Sequence, residues 1–154
     1  KMAFLFIFIS YKEEILNEIR TLKLENEVTV LERLSDAELR QLYDKSHIFI
    51  LPSLKAKDGF HEETQAVVIQ EAQASGVIVI ATNAGGIPEC VDDGKSAFLV
   101  NDRSADEITE QVLALLSESD SWGHIRRAAR KWVEEHFCSN VIGKRMNDVY
   151  VSLL

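Results

Sequence analysis

Short apolar runs, each followed by a stretch of helical periodicity, decide what this chain can fold into. Met2 to Ile9 is continuously apolar and rich in Phe and Ile, the pattern of a strand covered on both faces in a parallel sheet. Lys12 to Leu22 then places Ile15, Leu16, Ile19 and Leu22 on one helical stripe. Val28 to Leu31 predicts a short strand. Ser35 with Glu38 three residues on predicts a capping box and a helix to about Lys45, carrying Leu39, Leu42 and Tyr43. His47 to Leu51 predicts a strand halted by Pro52-Ser53, and Lys55 to Glu63, polar and without periodicity, a loop.

A helix is expected from Ala66 to Ser75, closed by Gly76 where a left-handed residue ends a helix. Val77 to Ala81 and Ala97 to Val100 predict buried strands. Ser104 with Glu107 predicts a second capping box, opening a helix to about Ser117, and two more helices are expected over roughly Ser121 to His136 and Asn140 to Leu154. This alternation predicts an α/β fold with a doubly wound, mostly parallel sheet and extra C-terminal helices.

Length and charge narrow the class. A chain of 154 residues, 46% hydrophobic and 27% charged, is expected to form a single soluble domain with a real core. The net charge of -8 argues against nucleic acid or an anionic membrane as a partner held by the overall field. Cys90 and Cys138 are far apart and read as reduced, mostly buried thiols of a cytoplasmic protein; His47, His61, His124 and His136 have no ligand spacing, so no metal site is expected. The Met2 to Ile9 run is too short to span a bilayer.

The chemistry concentrates in the middle of the chain. Glu63 and Glu71 stand with seven residues between them around the start of the Ala66–Ser75 helix, and Gly85-Gly86-Ile87-Pro88-Glu89 follows after one strand. In an open α/β sheet ligands bind beyond the carboxyl ends of the strands, and the loops at Pro52 to Gln65 and Thr82 to Glu89 both leave strands there. Exposed N–H groups at a helix start can hold a diphosphate, and the carboxylates can accept hydrogen bonds from hydroxyls to either side. Each residue also has a plainer reading. Gly85 and Gly86 suit a tight turn, Glu89 suits a helix start, and Lys55, Lys57 and His61 suit a solvated loop.

From Pro52 onward the sequence resembles the nucleotide-sugar half of the family-4 retaining GT-B glycosyltransferases (glycosyl transferase group 1). The likeness rests on Leu51-Pro52-Ser53, Glu63 to Gly76 (ETQAVVIQEAQASG), Val79 to Thr82, Gly85 to Glu89, Asp93-Gly94 and Phe98-Leu99-Val100. Weaker likeness extends back to Val28 and forward to Tyr150. The resemblance implies a Rossmann-like half of a GT-B fold and a UDP- or GDP-sugar as donor, with no metal and no other cofactor required. It implies a catalytic role for Glu63 against the donor sugar and its phosphates, and a ribose-binding role for Glu71. The N–H groups of Thr64, Gln65, Ala66 and Val67 would face the diphosphate, with Gly85 and Gly86 beside it.

The chain departs from that family at Thr64, where Gly is most frequent, at Ala66, where Pro or Gly is, and at Ile78, where Pro is usual. By the same resemblance, residues 1–154 are expected to be one donor-binding domain excised from the C-terminal part of a two-domain enzyme, inactive alone. The acceptor and the cationic residues that neutralise the diphosphate would come from an N-terminal domain. Any membrane contact would be peripheral, at the inner face, through that absent part, and the enzyme would build lipopolysaccharide, capsule or another glycan. A nucleotide-sugar epimerase of the same architecture and a non-catalytic nucleotide-sugar-binding module are the alternatives.

Overall fold

The computed structural model describes residues 12–55 and 63–153. The strand expected over Met2 to Ile9, and the loop stretch holding Lys57, Gly59, His61 and Glu62, lie outside them.

The architecture is built around one strand. β2 (Ile78–Thr82) is buried at every residue and lies between β1 (Ile48–Leu51) and β3 (Phe98–Val100), parallel to both. The register is set by Ile48 opposite Ile78 and Leu51 opposite Ala81 on one side, and by Ile80 opposite Phe98 and Thr82 opposite Val100 on the other. Because side chains alternate across a strand, β2 feeds two cores. Ile78 and Ile80 join Ile48, Ile50, Phe98 and Val100 on one face, covered by α4 (Ala105–Ser117) and the start of α5 (Trp122–His136). Val79 and Ala81 join Phe49, Leu51 and Leu99 on the other, covered by α2 (Asp36–Lys45) and α3 (Val67–Ala74). Each fully buried isoleucine here stabilises the fold by about 1.5–3 kcal/mol. This is the doubly wound α/β sandwich expected, closed by α5 and α6 (Ser139–Ser152).

Several boundaries are set by backbone chemistry. Ser35 caps α2 as a full capping box, its side chain accepting from the Glu38 N–H while Glu38 accepts from the Ser35 N–H at 2.8 Å. Gly76 ends α3 with φ +75°, the left-handed conformation that an L side chain resists. Buried Gln73 ties α3 to the turn before β3, its amide donating to the Ser96 carbonyl at 3.1 Å and to the Ser96 hydroxyl at 3.2 Å.

Three expectations are corrected. Val28 to Leu31 is not a strand. The Val28 N–H is used by the Leu24 carbonyl at 2.9 Å, in the turn that closes α1 (Lys12–Thr21), and no strand pairs with this stretch among the described residues. The second capping box is half formed. Ser104 accepts from the Glu107 N–H, but the Glu107 carboxylate turns to Asn101, accepting from its backbone N–H at 2.8 Å and its side-chain amide at 2.9 Å. Arg103, at φ +63°, folds the chain back to make that reach possible. Finally, Cys90 is buried but Cys138 is exposed, standing just ahead of α6 where the chain turns on the surface.

Two outcomes follow for stability. Gly76 has open space around the position a Cβ would take, so Gly76→Ala meets only backbone strain and should cost about 1–2 kcal/mol in urea denaturation, with Gly76→Asn costing less. The hydrogen bonds from Asn101 hold the Glu107 carboxyl below its ordinary 4.5 in the folded state. A depressed folded value gives stability that is present above the unfolded value and lost as pH falls through the folded one. Urea midpoints for Glu107→Gln should therefore trail wild type at pH 7, and the gap should close as pH drops below about 4.5.

Candidate functional site

The loops at the carboxyl ends of the strands are bonded to one another, which fixes the surface they form. The Thr82 hydroxyl, at the end of β2, donates to the Ser53 carbonyl beyond β1. The Asn83 N–H donates to the Val100 carbonyl at 2.8 Å, and the Lys55 N–H to the Asp102 carboxylate at 3.3 Å. The crossover from β1 to β2 passes through α3, so the N-terminus of α3 opens at this edge. It carries no side-chain cap: Ala66 occupies the N-cap position and is buried. Helix starts leave N–H groups that intrahelical bonds cannot satisfy. Here the Ile69 N–H turns to the Ala66 carbonyl and the Val67 N–H to the Gln65 carbonyl, each at 2.9 Å.

Gly85 and Gly86 stand against the segment that leads into α3. The Gly86 N–H donates to the Glu63 carbonyl at 2.7 Å. A Cβ on Gly85 would overlap the Glu63 carbonyl oxygen, and one on Gly86 would overlap that of Thr64. Gly85 also sits at φ +52°. These glycines therefore let two stretches of backbone meet directly, and that contact sets where Glu63 and Thr64 lie. The turn continues into a short 3-10 helix, Ile87–Cys90, in which Pro88 takes an opening position, Ile87 and Cys90 are buried and Glu89 faces solvent. Glu63 is half-buried at this junction, while Thr64, Gln65 and Val67 are exposed.

Glu71 is exposed on α3, one turn beyond Val68, and its Oε2 accepts from the Tyr43 hydroxyl at 3.3 Å. That hydroxyl also lies 3.5 Å from the Val68 carbonyl, so the Glu71 carboxylate rests back along the first turn of α3, as the tilt of helical side chains favours. Burial, then the Glu71 charge, then the hydrogen bond push the Tyr43 phenol above its ordinary value of 10. It is a proton donor throughout the neutral range. An open groove of about 350 Å³ runs between α2 and α3 beside this pair, bordered by Asp36, Leu39, Arg40, Glu71 and Ala74. Tyr43 enters the sequence reading only as part of an apolar stripe. The available signal was chemical, since a buried tyrosine needs a partner for its hydroxyl. Lys55 is exposed, and among the described residues it is bonded through its backbone, its carbonyl accepting from Arg103 at 3.3 Å.

The family model for glycosyl transferases group 1 matches residues 8–132, and the chain belongs to that family. Among its relatives, the GDP-mannose-dependent alpha-(1-6)-phosphatidylinositol monomannoside mannosyltransferase of Mycobacterium tuberculosis is 32% identical over 111 residues, which cover 72% of this chain and 29% of that protein. Among solved structures, Anabaena HepE in complex with UDP superposes with a TM-score of 0.83 at 22% identity, covering 98% of this chain and 41% of that one. The C-terminal domain of the group 1 protein LpcC from Francisella tularensis gives a TM-score of 0.72 at 24% identity, covering 85% of this chain and 64% of that one. The fold is that of the Rossmann-like C-terminal half of GT-B glycosyltransferases. This chain spans only about 29% of the length of the mycobacterial relative.

Gly86 has an ordinary φ of -84°, so Gly86→Ala tests the steric contact alone. It should destabilise the chain by about 1–3 kcal/mol, as overpacking does, and shift the amide resonances of Glu63 to Gln65. Unchanged shifts there would show that the glycine turn does not position that segment.

Proposed function

We propose that this chain is the donor-binding domain of a retaining glycosyltransferase, taking a nucleotide-diphospho-sugar and serving glycan synthesis. The observation that carries this reading is the place of the Glu71 carboxylate, drawn back along the first turn of a helix whose N-terminus opens at the carboxyl edge of the sheet. A carboxylate there is placed to accept from ribose hydroxyls while the diphosphate meets the amides of Thr64, Gln65 and Ala66. The Val67 amide joins them on leaving the Gln65 carbonyl. The helix dipole favours negative charge at that end, and its effect grows as the leaving diphosphate gains charge in the transition state. Glu63 is held through its own carbonyl by Gly86, and in this reading it would face the sugar.

The chemistry asks for no metal in this reading, because oriented amides and cationic side chains do the neutralising. The Arg and Lys that the diphosphate requires, and the acceptor site, belong to the N-terminal half of a longer two-domain protein. The chain alone therefore binds donor without turnover. Nucleotide binding by HepE and GDP-mannose use by the mycobacterial relative support a UDP- or GDP-sugar as donor.

Titration calorimetry with UDP, GDP and their sugars should give binding of one nucleotide series, weakened tenfold or more in Glu71→Ala. Undiminished affinity in that variant would remove the ribose role. Joined to its N-terminal half, the protein should transfer sugar with the donor's anomeric configuration kept. A product of inverted configuration would overturn the retaining assignment, and binding without transfer would mark a non-catalytic module.

A further inference from the structure

We propose that Tyr43 is a positioning residue for the donor site, holding the Glu71 carboxylate in the rotamer that meets the ribose; this rests on the donor-domain reading above. Glu71 is a long side chain on an exposed helix face, and left alone it would sample many rotamers. Tyr43 is the opposite case. It is only 5% exposed and packs edge-on against Phe49 with ring centroids 6.1 Å apart, so its hydroxyl has a fixed origin in the core. From there it reaches two acceptors on α3, Glu71 Oε2 at 3.3 Å and the Val68 carbonyl at 3.5 Å.

A phenol has one proton to give, and a carboxylate is the stronger acceptor of the two. Among the described residues nothing else bonds Glu71, so its second oxygen is open to a ligand hydroxyl. Affinity gained this way comes from order established before binding, not from a contact with the ligand. Arg40 and Asp36 border the same groove. Neither makes a hydrogen bond or ion pair with Glu71 among the described residues, which leaves the orienting role with the phenol.

Tyr43→Phe keeps the ring and its packing, and circular dichroism with urea melting would verify that it folds. With the nucleotide diphosphate that wild type binds, UDP or GDP, Tyr43→Phe should weaken affinity about three- to tenfold, the worth of one modest hydrogen bond. The loss should vanish in a Glu71→Ala background, and it should vanish again with the corresponding 2′,3′-dideoxynucleotide, which offers Glu71 no ribose hydroxyl. Equal losses in all three settings would make Tyr43 a merely structural residue and overturn the proposal. So would a ribonucleotide affinity unchanged by Tyr43→Phe while Glu71→Ala still weakens it, and in that case the donor-domain reading would stand. Failure of wild type to bind either nucleotide, or indifference to Glu71→Ala, would overturn both.

Discussion

The arrangement at the sheet edge depends on a contact in which no side chain takes part. Gly85 and Gly86 bring their backbone against that of Glu63 and Thr64, joined by the bond from the Gly86 N–H to the Glu63 carbonyl. The two segments leave neighbouring strands, and among the described residues the other buried anchor of the chain entering α3 is Ala66. The position of the α3 N-terminus, and of any anion it attracts, therefore rests on two residues that lack a Cβ. In the proposed donor site the amides at this helix end would act through pre-set direction, which this contact supplies.

A second constraint fixes the helix from the side. α2 and α3 cover the same face of the sheet, and Tyr43 spans them at the level where Glu71 leaves the helix. The glycine turn sets the helix mouth and the tyrosine sets the carboxylate beyond it. In the proposed donor site, the end assigned to phosphate and the end assigned to ribose are thus referenced to different elements of one sandwich.

Much of this was legible in the chain itself. Runs such as Val77 to Ala81 announce a strand buried on both faces, Ser35 and Glu38 announce a helix start, and Gly76 announces a helix end; all are local signals. The spacing of Glu63, Glu71 and the glycine pair pointed to loops that the structure does bring together at the carboxyl edge of the sheet, because topology alone puts them there. The failures came where a partner remote from the pattern decided the outcome. Val28 spent its amide on a turn, Glu107 found Asn101 before the Ser104 backbone, and Cys138 stayed outside because the turn before α6 lies on the surface. The role of the glycines was hidden for a similar reason. A tight turn and a ligand approach could both be read from them, but the close neighbour is the chain's own backbone twenty-two positions earlier.

That neighbour bears on the most conspicuous departure from the family pattern. Thr64 stands where glycine is most frequent, yet it meets Gly86 through its carbonyl oxygen, and its side chain points into solvent. Main-chain recognition is blind to the identity of the residue that supplies it. The architecture thus separates what must be kept at this corner, a carbonyl in the right place, from what is free to drift. Threonine can be tolerated here while glycine remains mandatory across the gap.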